Sequence, residues 1–240
     1  MADRLTIVEV GPRDGLQNDP VMVPTAVKVE LIERLVAAGL DAIEITSFVR
    51  ADRIPKLADA DEVVRAVHMP PAARIIALAP NVAGLERAIG TLVNEVAVFA
   101  AASDTFNQRN IGRPTAAALD MFRPVAEEAL AAGLRVRGYV STVLGCPYQG
   151  DVPLSDVCAV AEALVAMGCH EVSLGDTIGI GNPSGVRAMV AAVADAIGLD
   201  RIAVHMHDTY GMGLANTLAA IEAGVRVADT SIGGLGGCPF

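Results

Sequence analysis

A chain of 240 residues that is 52% hydrophobic and 19% charged can bury one large α/β core, and its length is close to that usual for a (β/α)₈ barrel. Its formal charge of −10 argues against a nucleic-acid surface, and no apolar run reaches the roughly 20 residues that span a bilayer. Four cysteines without regular spacing exclude a disulfide framework, and with no signal-peptide layout at the N-terminus they point to reduced thiols in a cytoplasm.

The pattern alternates along the chain. A β-branched run at 5–10 predicts the first strand, followed by helical spacing at 25–38. Strand 42–46 precedes helix 55–67, strand 74–78 precedes helix 82–90, and strand 95–100 is separated from helix 115–132 by a long connection, 101–114. That connection exceeds an ordinary βα loop and is expected to be a functional segment. Strand 135–141, helix 155–167, strand 171–176, helix 184–197, strand 202–207, helix 213–223 and strand 227–232 complete the series. Gly39, Gly133, Gly168 and Gly224 stand where helices should end in a left-handed residue. Thr25, Thr115, Ser155 and Ser184 are the expected N-terminal caps. Strict alternation implies a parallel sheet with right-handed crossovers, and eight strands fit a closed α/β barrel forming one catalytic domain over 1–240; an open doubly wound sheet is the alternative. Only 3% of residues are aromatic and none is Trp, so Ala, Val, Leu and Ile must fill the core.

In such barrels chemistry collects at the C-terminal ends of the strands. Reading polar residues there gives Arg13 and Asp14, Glu44, Arg137 and Tyr139, Ser173 and Asp176, His205 and His207, and finally Cys238. His205 and His207 stand two apart on a strand, so both imidazoles share a face and can share one metal. Two packed or surface histidines are the plain alternative. Asp14 supplies a carboxylate oxygen from the opposite wall. Such a mixed set with room for water suits Mg²⁺ or Mn²⁺, with Zn²⁺ as the alternative.

Glu44 lies among aliphatic residues in Ala42-Ile43-Glu44-Ile45, where an unpaired carboxylate is costly to bury. A structural pair with Arg13 and a direct chemical role are both open. Asp176 is either chemical or a cap for the loop that follows it. Cys238, in a Gly-rich run, is a candidate acid, base or nucleophile, with Cys146 competing; Cys158 and Cys169 read as buried small hydrophobes. The run Gly179–Gly185 does not match a dinucleotide fingerprint and reads as an ordinary βα turn.

These residues carry a resemblance. Gly11-Pro12-Arg13-Asp14-Gly15-Leu16-Gln17-Asn18, Ile43-Glu44-Ile45-Thr46-Ser47-Phe48-Val49, Val136-Arg137-Gly138-Tyr139-Val140-Ser141, Ser173-Leu174-Gly175-Asp176-Thr177-Ile178-Gly179, His205-Met206-His207-Asp208-Thr209-Tyr210-Gly211 and Gly234-Leu235-Gly236-Gly237-Cys238-Pro239 follow one another in order. The chain thereby resembles the hydroxymethylglutaryl-CoA lyase family of the DRE-TIM metallolyases. The resemblance implies cleavage of 3-hydroxy-3-methylglutaryl-CoA, an acyl-CoA substrate, to acetyl-CoA and acetoacetate, commonly in leucine breakdown, by a homodimer.

It further implies that Asp14, His205 and His207 bind the metal and that His205 and Asp176 handle the hydroxyl proton. Arg13 would stabilise the enolate oxygen, Glu44 support Arg13, and Cys238 protonate the enolate carbon. Gln17, Ser47, Asn110, Arg137, Tyr139 and Ser173 would bind substrate. Family members continue past the cysteine loop to a further metal ligand, a last helix and a C-terminal helical region. The chain is therefore expected to be C-terminally incomplete, with weak turnover or none by itself. A related lyase for another 3-hydroxy acid and a non-catalytic acyl-CoA- or metal-binding fragment are the alternatives. A phosphate-binding sugar barrel fits poorly, because no phosphate cradle with a basic residue follows the last two strands.

Overall fold

The computed structural model describes residues 4–237; Cys238, with the first three and last two residues, lies outside the described residues. Eight strands hydrogen-bond in sequence order into a closed, all-parallel barrel. They are β1 (Thr6–Glu9), β2 (Ala42–Ser47), β3 (Arg74–Leu78), β4 (Glu95–Ala101), β5 (Arg135–Ser141), β6 (Glu171–Asp176), β7 (Ile202–Met206) and β8 (Val227–Thr230). Closure is made by β1 against β8, in register from Thr6 opposite Val227 to Glu9 opposite Thr230. All eight expected strands are present, and the open-sheet alternative is excluded by that last pairing.

Helices α1 (Thr25–Ala37), α2 (Ala60–Ala66), α3 (Val82–Ala88), α4 (Asp104–Ile111), α5 (Thr115–Ala131), α6 (Leu154–Ala166), α7 (Pro183–Ile197) and α8 (Gly213–Glu222) connect the strands. The amphipathic spacing explains their packing. In α5, Ala118, Phe122, Val125, Ala126 and Ala129 recur at helical intervals and are all buried. Phe122 meets Phe99 of β4 at 5.1 Å between ring centroids, one of few aromatic contacts in a core otherwise built from aliphatic side chains.

Two local expectations need correction. The connection at 101–114 contains α4, which begins where the Ser103 hydroxyl accepts from the Phe106 N–H and ends at Gly112 with φ 73°. The named caps also shift. Pro24, Pro114 and Pro153 occupy the N-cap positions before α1, α5 and α6, with no side-chain cap, and Asn182, not Ser184, caps α7 by accepting from the Gly185 N–H. Proline fixes the φ needed at these entries, so the hydroxyls of Thr25 and Thr115 turn elsewhere, to Asp59 and to the Ala101 carbonyl. Gly39, Gly133, Gly168 and Gly224 all have positive φ, as helix-terminating glycines should.

Alternation along each strand sends one set of side chains outward to the helices and the other into the lumen. The lumen holds a small apolar cluster that includes Val8, Ala42, Ile76, Ala97 and Tyr139. Beside it lies an unusual density of buried polar groups: Glu44, Arg137, Ser173 and Asp229. Among the described residues, no helix is long and apolar enough to cross a membrane.

Candidate active site

The loop after β1 carries Arg13 and Asp14 to the mouth of the barrel. Gly11–Gly15 coil as one wide turn in which the N–H groups of Arg13, Asp14 and Gly15 all converge on the Val10 carbonyl. Glu9 clasps this turn to the loop after β8: its Oε1 accepts from the N–H groups of Gly11 at 2.8 Å and Ile232 at 2.9 Å, and its Oε2 from the Thr230 hydroxyl. A side chain at 11 would force this clasp to shift, because a Cβ there would lie 2.5 Å from Glu9 Oε1.

From this turn a closed circuit of polar contacts runs around the lumen. Arg13 donates from Nε to Glu44 Oε2 at 2.7 Å and from Nη1 to Asp14 Oδ1 at 2.6 Å. The Tyr139 hydroxyl donates to the same Glu44 oxygen at 3.0 Å and accepts from Arg137 Nη1 at 2.7 Å. Arg137 donates to Asp229 Oδ1 at 2.6 Å, and Asp229 Oδ2 accepts from Ser173 at 2.8 Å and faces His205 Nδ1 at 3.1 Å. His205 Nε2 lies 3.6 Å from Asp14 Oδ2, which completes the ring.

Burial makes the charges of this ring interdependent. Burial works to raise the Asp14 carboxyl, but Arg13, His205 and His207 hold it below the usual carboxylate range. Burial pushes Glu44 up despite Arg13. Asp229, although buried, is held well below the ordinary range by Arg137 and His205. His205 is raised, burial being outweighed by its hydrogen bond to Asp229, whereas burial and the neighbouring His205 depress His207 to about 4. His207 is therefore a neutral imidazole at neutral pH, the form that ligates metals.

Asp14, His205 and His207 each offer one ligand atom, and the three lie within 4.8 Å of one another. Asp14, expected on the opposite wall, lies beside the histidines because only β8 separates β1 from β7, and one carboxylate with two imidazoles fits a divalent cation. The Ser47 hydroxyl, fully buried and without a hydrogen-bond partner, lines the same cavity, an acceptor and donor left for something that enters it. The cavity measures about 760 Å³.

Residues 4–238 match the HMGL-like family. The chain belongs to that family. It is 47% identical to the mitochondrial hydroxymethylglutaryl-CoA lyase of Bos taurus, over 99% of this chain and 73% of the relative. The crystal structure of the hydroxymethylglutaryl-CoA lyase of Pseudomonas aeruginosa superposes with a TM-score of 0.97 at 49% identity, covering 99% of this chain and 79% of that one. A hydroxymethylglutaryl-CoA lyase of Acinetobacter baumannii, solved with coenzyme A and 3-methylmalate, superposes with a TM-score of 0.94 at 37% identity, covering 99% and 78%.

The HMGL-like site in this chain gathers most of the residues named from sequence. Arg13, Asp14, Gln17, Ser47, Asn110, Tyr139, His205 and His207 all line the cavity, and Glu44 lies directly beneath Arg13. Arg137 and Ser173 do not reach the cavity wall. They sit one layer deeper, where both hold Asp229. Asp176 is also displaced. In β6 the odd positions Ser173 and Gly175 face the lumen, while Asp176 shares the outward face with Val172 and Leu174, and its Oδ2 accepts from the Gly181 N–H. It caps the following loop and stands outside the ring. Cys146 is buried against Phe106, its sulfur accepting from the Ser103 hydroxyl, away from the cavity lining.

Sequence reading passed over two acids. Glu9, in Ile7-Val8-Glu9-Val10, is flanked by aliphatics near a strand end, and Asp229, in Val227-Ala228-Asp229-Thr230, follows two aliphatics near another. The cost of burying an unpaired carboxylate, which singles out Glu44, marks Glu9 in the same way and Asp229 less sharply.

Proposed function

We propose that this chain is a metal-dependent carbon–carbon lyase that cleaves 3-hydroxy-3-methylglutaryl-CoA to acetyl-CoA and acetoacetate, and that Mg²⁺ or Mn²⁺ is its ion. The observation that carries the reading is the Asp14, His205 and His207 cluster on one wall of a cavity that Arg13 also lines. A divalent ion held there would make a bound hydroxyl more acidic. Transfer of the tertiary hydroxyl's proton to water in the cavity lets its oxygen become the ketone of acetoacetate as the adjacent C–C bond breaks. The electron pair passes into the thioester, giving the enolate of acetyl-CoA, which then takes a proton on carbon.

Arg13 is proposed to stabilise the enolate oxygen. Its guanidinium is permanently charged, anchored by Glu44 and fixed before the substrate arrives, and such preorganised charge is commonly the largest electrostatic contribution to catalysis. Glu44 holds Arg13; Gln17, Ser47, Asn110 and Tyr139 are proposed to position the acyl group, and Cys238 to protonate the enolate carbon. Because Asp176 faces the outer shell, it is given the part of fixing the loop after β6. Arg50, Arg53 and Arg109 line the same cavity, local positive charge on an acidic protein that suits the phosphates of an acyl-CoA.

A second substrate, one with a longer branch on the 3-hydroxy acid, is favoured by the cavity's size and by a relative from Pseudomonas aeruginosa, 49% identical, named as a 3-hydroxy-3-isohexenylglutaryl-CoA/hydroxymethylglutaryl-CoA lyase. A cytoplasmic location is proposed on the free thiols of Cys146, Cys158 and Cys169 and on cytoplasmic relatives such as that of rat. A homodimer is proposed on the family resemblance, supported by Leu214 and Leu218, which expose one apolar face of α8. A part in leucine breakdown is proposed on the resemblance alone.

The test is acetyl-CoA release from 3-hydroxy-3-methylglutaryl-CoA with Mn²⁺, at high enzyme concentration. Release that needs the metal and that Arg13→Gln abolishes supports the reading. Release without metal, or undiminished in Arg13→Gln, overturns it.

A further inference from the structure

Asp229 stands out among the buried groups that the proposed reaction leaves unused. Its side chain is 1% exposed, yet three polar side chains converge on it through four contacts. Arg137 donates from Nη2 to Oδ1 at 2.6 Å and from Nη1 to Oδ2 at 3.3 Å, Ser173 donates to Oδ2 at 2.8 Å, and His205 Nδ1 lies 3.1 Å from Oδ2. Arg137 is itself fixed from below, its Nε donating to Glu171 at 2.7 Å, so Asp229 is seated on a rigid base.

We infer that Asp229 is a positioning residue that fixes the tautomer and the ring orientation of His205, turning its Nε2 lone pair toward Asp14 and the metal. This rests on the metal reading above. The reasoning is one of donor and acceptor inventory. A carboxylate paired to a buried guanidinium only accepts hydrogen bonds, so the short contact with His205 must be donated by Nδ1–H. A neutral imidazole with its proton on Nδ1 has its lone pair on Nε2. That atom points the other way, 3.6 Å from Asp14 Oδ2 and on the wall shared with His207. The carboxylate behind the ring also raises the basicity of the ligating nitrogen, and loss of such partners typically costs 10- to 100-fold in metal affinity.

Asp229 reaches the reaction only through His205. Its closest neighbours place it on β8, directly across the barrel closure from Val8 of β1 in the pairing register, so the last strand contributes to the metal wall without offering a ligand of its own.

The experiment is a Mn²⁺ titration of the metal-free wild-type chain, Asp229→Asn and Ser173→Ala by calorimetry, with nitrogen NMR of His205 at mildly alkaline pH. The inference expects His205 protonated on Nδ1 in the wild type. It expects Mn²⁺ affinity about 10- to 100-fold weaker in Asp229→Asn. Ser173→Ala, which keeps the charge pair with Arg137, should fall between the two. A wild-type His205 carrying its proton on Nε2 overturns the inference, and that measurement stands even if Asp229→Asn does not fold. Equal Mn²⁺ affinity in a folded Asp229→Asn overturns it as well. A wild-type chain that binds no Mn²⁺ overturns the metal reading instead, so the two failures are distinguishable.

Discussion

Arg13 lies between two carboxylates of unequal fate: it donates to Asp14 at the cavity wall and to Glu44 in the buried layer beneath. Glu44 is fully buried, and its second oxygen, Oε1, has no hydrogen-bond partner. The pair is therefore unbalanced, with one cation shared by two anions. Replacing Arg13 by Met should strand Glu44 uncompensated and cost about 3–5 kcal/mol of stability. Urea unfolding measures this, and the double variant Arg13→Met/Glu44→Gln should recover a large part of the loss. No recovery would mean that the Glu44 charge is not what the single variant suffers from.

Metal binding should stabilise the fold. An ion bound only by the folded chain adds about 2.7 kcal/mol at a concentration of 100 times its Kd. Thermal melting with and without Mn²⁺ should show a rise in Tm that chelation reverses and that Asp14→Ala and His207→Ala largely lose. A rise of the same size in both variants would place the ion elsewhere.

Glu95, the first residue of β4, predicts an acid limit. Glu95 is fully buried and is depressed from 4.5 to about 2, burial being outweighed by hydrogen bonds from His170 and Arg74. Because the folded value is the lower one, Glu95 contributes stability that is present above about pH 4.5 and lost as the pH falls toward 2. The contribution is on the order of 3 kcal/mol. Denaturation curves between these limits should be flatter for Glu95→Gln, which should also be less stable at neutral pH. An unchanged acid slope would count against this assignment.

Gly11 tests the clasp between the first and last loops. A methyl group there would overlap Glu9 Oε1 at 2.5 Å and crowd the Ile232 nitrogen at 3.3 Å. Gly11→Ala should cost about 1–3 kcal/mol through overpacking. Acetyl-CoA release should fall with it, because the displaced turn carries Arg13 and Asp14. Normal stability and turnover in this variant would show that the clasp does not hold the site.

Eight strands alternating with helices are legible in the sequence, whereas closure of the sheet rests on the pairing of β1 with β8. Strand and helix periods alternate without a break, and helix-ending glycines fall at Gly39, Gly133, Gly168 and Gly224, where local backbone sterics leave little choice. The pairing of His205 with His207 is legible too, since a strand's period of two places them together whatever surrounds them. The caps differ from expectation at α1, α5 and α6 because the preceding prolines fix the entry geometry and leave Thr and Ser hydroxyls free to bond elsewhere.

Which face each polar residue takes was decided only by the closed barrel. Asp176 and Ser173 differ by an odd number of positions, so one turns to the helices and the other to the lumen. Asp229 meets Arg137, 92 residues away, and Glu9 meets Ile232, 223 residues away. No local pattern encodes such pairs. They exist because strand closure brings distant acids and bases into one low-dielectric space, where each buried charge must find a partner.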